Sequence, residues 1–211
     1  MGGGTRGHDL YQRGNCRADC VSGAIFQDRN PYGKIVRKGY HIRLYHVSEE
    51  PDITVFHPRL PKRRDLDPTV GLVWAIDEEH LPNFLTPRDC PRVTYHIRPE
   101  TTEEDRRRFF TSDKVMHAVI IEHGWFDRMR NTTLYLYEFD PSDFVLQDEI
   151  AGYYVAKTMQ IPIARHTVTD LPTALIARGV ELRVTDNLRR IAEEVKASTL
   201  GWSLCRMANA K

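Results

Sequence analysis

The chain contains no apolar run near the ~20 residues that a bilayer-spanning helix needs. Its Gly- and Arg-rich start lacks the apolar stretch of a secretory signal, so the expected compartment is the cytoplasm. Only 4 of its 211 residues are cysteine, too few for a disulfide scaffold at this length. A charge excess of either sign is missing as well. The 30 basic and 29 acidic residues leave a formal net charge of +1, so no global field draws the chain to nucleic acid or membrane. Several strong motifs are absent: no G-x-G-x-x-G stands between a strand and a helix, and there is no G-x-x-x-x-G-K-[ST], H-E-x-x-H or G-x-S-x-G. Dinucleotide-binding doubly wound folds, P-loop nucleotidases, zincins and α/β-hydrolases lose their main sequence support.

What is present has the profile of a soluble globular chain, 41% hydrophobic and 28% charged. Residues 1–40 carry much Gly, Arg and Asn and little apolar periodicity. Such a stretch buries little surface and reads as a poorly ordered extension. Residues 41–211 read as one globular domain. Cys16 and Cys20 form a lone C-x-x-x-C, a weak zinc signal without a second ligand pair, and read as two free thiols. The 9 histidines are scattered, and no metal site is expected.

Within 41–211 strands outnumber helices. HIRLYHV, GLVWAI, RVTYHI, VMHAVIIE, TLYLYEF and VELRV read as strands, and 144–163 reads as two or three short ones. Thr101 with Glu104 predicts a capping box before EEDRRRFF. Asp77 predicts a cap on a short helix that Pro82 limits. Asp170 predicts a cap over LPTALIAR with Gly179 as the stop, and Asp186 a cap on the helix NLRRIAEEVKAST. The irregular alternation predicts an α+β fold with a mixed, mostly antiparallel sheet and a few short helices.

The polar residues at strand ends carry the candidate chemistry. His46 and Ser48 end the strand LYHVS, where imidazole and hydroxyl can grip ribose or phosphate. They equally suit a strand end satisfied by backbone. Trp74, on a strand followed by the short Asp77 helix, can wall a planar ring or fill a core. Glu149 can act as a base or ribose ligand, or sit solvated in a turn. Tyr153 and Tyr154 face opposite sides of a strand, so one of them, Tyr154 in this reading, lines a cleft. In PRDCPR, Arg88 and Arg92 flank Asp89. The loop can present guanidinium to phosphate, or Asp89 can pair with an arginine to hold the loop. Arg59, in FHPR, is equally open, and Arg206 and Asn209 complete the set. The runs KRR at 62–64 and RRR at 106–108 suit phosphate contacts or solvated surface.

From LYHVSEEP to SLCRMANA the chain resembles a bacterial family of uncharacterised proteins, by LYHVSE, F-x-PR, GLVWAID, PRDCPR, AGYYV, GVELRV and the R-x-x-N-A end. In motif order it is also similar to ADP-ribosyltransferases of the His-Tyr-Glu type. LYHVS resembles their first motif, GLVWAIDEEHLPNFL the second and QDEIAGYYV the third. That likeness implies a split sheet and NAD as substrate, cleaved or transferred to a protein or nucleic-acid acceptor. It implies His46 and Ser48 on NAD, Trp74 beside the nicotinamide and Glu149 as the catalytic carboxylate, with Glu181 a rival. Trp74 stands where that family has tyrosine or phenylalanine. The alternative is a non-catalytic module that binds a nucleotide or phosphate ligand through His46, Arg59, Arg88 and Arg92.

Overall fold

Apolar residues that alternate with a period of 2 along one short segment after another build two sheets. A computed structural model describes residues 20–22, 42–61 and 66–211. Along the chain come β1 (Cys20–Ser22), β2 (Leu44–Ser48), β3 (Val73–Asp77), β4 (Arg92–His96), α1 (Glu103–Phe109), β5 (His117–Glu122), α2 (Phe126–Asn131), β6 (Leu134–Phe139), β7 (Val145–Asp148), β8 (Tyr153–Ala156), β9 (Ala164–Val168), α3 (Leu171–Ile176), β10 (Glu181–Thr185), α4 (Arg189–Lys196) and β11 (Gly201–Cys205). The first sheet has the order β1-β11-β4-β5-β10, antiparallel except for the parallel pair β5–β10. The second has the order β7-β8-β3-β2-β6-β9 and is antiparallel throughout.

The fold is α+β with mostly antiparallel strands and a few short helices, as the sequence predicts, and the strands are shared between two sheets. β1 lies inside the segment read as an extension and pairs with β11. The expectations for Cys16 and for the basic run at 62–64 fall outside the described residues, as does the side chain of Cys20.

Side-chain alternation sorts the core into layers. Tyr45, Val47, Ile76, Leu134 and Leu136 of the second sheet meet Val119 and Ile121 of the first, with Met129 of α2 and Leu171 and Leu175 of α3 filling the space. The opposite face of the first sheet packs Val93, Tyr95, Ala118, Ile120 and Leu204 against α1 and α4. The opposite face of the second sheet is covered by Ile53 and Phe56 of the segment after β2.

Helix caps follow local hydrogen bonding. Asp170 caps α3 by accepting from Thr173 N at 3.0 Å, and Gly179, at φ 71°, ends the turn beyond it. Two expected caps sit one residue off. Thr102, not Thr101, caps α1 by accepting from Asp105 N. Asn187 Oδ1, not Asp186, accepts from Arg189 N at 2.7 Å before α4. Asp77 accepts from His80 N at 2.8 Å, but it opens a turn into a single 3₁₀ turn, Leu81–Phe84.

Candidate functional site

β5, β10 and β11 run in one direction through the first sheet, so their C-terminal ends share an edge. β4 starts at that edge, directly after the PRDCPR loop. The chain leaving β5 supplies Trp125 and Arg128, and the chain leaving β11 supplies Arg206, Met207, Ala208 and Asn209. α4 runs beside them and contributes Arg189, Ala192, Glu193 and Lys196, the i, i+3, i+4, i+7 positions of one helix face. Together with Asp89 and Leu204 these residues line a cleft of about 940 Å³, within the range of small-molecule sites.

Two turns meet at the cleft mouth. Cys90 N donates to Pro87 O at 3.1 Å, and Asn209 N donates to Arg206 O at 2.9 Å. Asp89 and Arg206 are the only non-glycine residues with left-handed backbone among the described residues, at φ 62° and 55°. Such conformations persist where the surroundings over-determine them, and they cluster at ligand sites. The turns are cross-linked: Asn209 Nδ2 donates to Asp89 O at 2.7 Å, and Arg206 Nε lies 3.8 Å from Asp89 Oδ1. Arg206 is 9% exposed.

The lining is cationic, with Arg128, Arg189, Lys196 and Arg206 against Asp89 and Glu193. Lys196 pairs with Glu193 at 2.8 Å. Arg128 stands 3.8 Å from Glu49 and 5.3 Å over the Trp125 ring. Arg189 donates to the main-chain oxygens of Lys211 and Ala210, each at 3.1 Å. Glu122, at the end of β5, is not in the lining and is 1% exposed. Its carboxylate accepts from Leu188 N at 3.3 Å and from Lys211 N at 3.0 Å, so one buried acid ties the start of α4 to the segment after β11.

The residues singled out by the ADP-ribosyltransferase likeness do not converge. β2–β3 register sets Tyr45 opposite Ile76, so alternation puts His46 and Trp74 on opposite faces of the second sheet. His46, 6% exposed, donates through Nδ1 to the Trp74 carbonyl at 3.0 Å and packs 4.8 Å from the Phe56 ring. Ser48 Oγ accepts from Glu50 N at 3.0 Å and shapes the turn after β2. Trp74 meets Tyr153 edge-on at 5.4 Å. Tyr154 shares the His46 face, opposite Ala75. Glu149 is exposed in the β7–β8 turn. Glu181 is held by Arg183 at 2.6 Å and Thr111 Oγ1 at 3.0 Å.

Of the candidate arginines, Arg59 is exposed and its backbone bridges to Leu72. Arg88 donates its main-chain N–H to Glu49 at 2.7 Å. Arg92 is 5% exposed and braces its own loop from inside, donating to Asn83 O at 2.5 Å and Cys90 O at 3.1 Å. Asp89 meets Arg206 rather than either arginine beside it. In the 106–108 run, Arg106 donates to Asp113 O at 2.5 Å and Arg108 approaches Glu194 at 3.6 Å. Cys90 is buried and free; burial pushes its thiol up to about 12, so it stays protonated and unreactive at neutral pH.

A second polar cluster lies between the sheets. His80 donates from Nδ1 to Asp77 Oδ1 at 2.8 Å. The His80 ring stands 4.9 Å from His96, which stands 5.7 Å from His117. His117 Nε2 donates to Asn83 Oδ1 at 2.8 Å. Burial lowers His96 to about 4 and His117 to about 3, helped by the neighbouring imidazoles. Among the described residues no group of His, Cys, Asp and Glu is arranged to hold a metal ion, and no helix is long and apolar enough to cross a membrane.

The sheets and this edge define an α+β protein with a cationic cleft at the C-terminal ends of three strands. The chain belongs to DUF6886, a family of unknown function, whose model matches residues 45–210. No curated protein and no solved structure matches.

Proposed function

We propose that the chain binds a phosphate-bearing small molecule in the cleft of Asp89, Arg128, Arg189 and Arg206. The observation that carries this reading is the meeting of two cross-linked turns, each with a left-handed non-glycine residue, at the mouth of a cationic cleft. Non-glycine residues held in left-handed backbone cluster at active sites and ligand clamps. Guanidinium groups suit phosphate because their planar donors match its oxygens. The reading assigns binding, not turnover. ADP-ribosyl transfer calls for His46, Trp74 and Glu149 in one cleft, and the second sheet separates the first two.

Isothermal titration with inorganic pyrophosphate tests it. Wild type binds at low salt and loses affinity as salt rises, and Arg189→Gln with Lys196→Gln weakens binding about tenfold or more. Absence of binding by folded wild type at low salt overturns the reading.

A further inference from the structure

We infer that the phosphate-bearing molecule is a nucleotide whose base stacks at Trp125; the inference rests on the phosphate reading above. The cleft lining is divided in character. Its charges serve an anion, but Trp125, Ala192, Leu204 and Met207 form an apolar part that a phosphate or a bare sugar phosphate leaves unused. The occupant is therefore a molecule with an anionic part and an apolar part.

Trp125 decides the shape of that apolar end. It is the one aromatic residue in the lining and is half-buried, one part packed against the inter-sheet core and the rest facing the cleft. Arg128 stands over its ring at 5.3 Å. Indole and guanidinium are the two planar groups on which nucleobases stack. A flat heteroaromatic ring matches that pair; a flexible acyl chain does not need it. The dimensions agree: Arg189 and Lys196 line one wall seven residues apart on α4, about 10 Å at the helix rise. That span exceeds one phosphate group. The lining also holds the carboxylates of Asp89 and Glu193, acceptors for sugar hydroxyls.

Three titrations of the full chain separate this inference from its premise: inorganic pyrophosphate, ribose 5-phosphate and AMP. The expected result is that AMP binds at least tenfold more tightly than ribose 5-phosphate, a ratio that Trp125→Phe keeps and Trp125→Leu erases. Because Trp125 also packs on the core, the wild-type ratio alone is decisive if the leucine variant does not fold. Equal affinities for AMP and ribose 5-phosphate overturn the nucleotide inference and leave the phosphate reading standing. Binding of none of the three overturns both.

Discussion

Asp89 and Arg206 are 117 residues apart in the chain, yet their side chains stand 3.8 Å apart across the mouth of one cleft, each on a left-handed turn. An anion entering beside Arg206 meets the Asp89 carboxylate as a like charge. Asp89→Asn removes that charge, and asparagine tolerates left-handed backbone. The expected outcome is several-fold tighter pyrophosphate binding by calorimetry with little change in Tm. Unchanged or weaker binding contradicts a role for Asp89 in setting affinity.

Glu122 joins the α4 start to the chain end from a buried position. Glu122→Ala leaves the amides of Leu188 and Lys211 without their acceptor, at about 1–3 kcal/mol for the buried Leu188 group. Glu122→Gln keeps one acceptor oxygen and costs less. Urea unfolding of the two variants gives the order; equal stability of alanine and wild type contradicts it.

Gly152 and Gly201 give the inter-sheet histidines their room. A Cβ on Gly152 would lie 2.3 Å from His80 Nδ1, and one on Gly201 would lie 2.4 Å from His96 Nε2. Gly152 also sits at φ 67°, a conformation costly for alanine. Gly152→Ala is expected to destabilise by about 2 kcal/mol or more, whereas Gly124→Ala, with open space around it, changes Tm little. Thermal melts of both decide this.

The same histidines set an acid limit. Their folded values of about 4 for His96 and about 3 for His117 lie below the ordinary 6.5, so the unfolded chain binds more protons in between. Their contribution is complete above pH 6.5 and is lost as pH falls toward 4, on the order of 2 kcal/mol for each by pH 4.5. Glu138, held at about 2 by Arg43 and His166, adds a loss below pH 5. Denaturant midpoints at pH 7.5, 5.5 and 4.5 are expected to fall in that order, and less steeply in His117→Gln. A flat profile contradicts the burial argument.

Much of the fold was legible because period-2 runs name strands directly. LYHVS, VWAID, RVTYH and LYLYEF each became one. Their division between two sheets was not legible, since pairing partners lie far apart in the chain. The site divided the same way. Asp89, Arg206 and Asn209 were visible as isolated polar residues, but only the β4–β11 pairing brings their turns together. Trp125 and Arg128 stand in no motif that set them apart. Arg189 and Lys196 looked like ordinary helix surface. His46 and Trp74 misled for a register reason: motif order shows that two strands exist, not which faces their side chains take. In the opening motif, Glu49, not His46 or Ser48, reaches the cleft rim through Arg88 and Arg128.

The most direct test of the cleft follows the tryptophan indole N–H signals of ¹⁵N-labelled protein during titration with NAD, which carries both a base and phosphates. Trp125 lines the cleft and Trp74 lies on the second sheet. A cleft that binds phosphate-bearing ligands predicts that the Trp125 signal moves saturably while the Trp74 signal stays in place. Movement of Trp74 with Trp125 unchanged, or no movement of either, contradicts it.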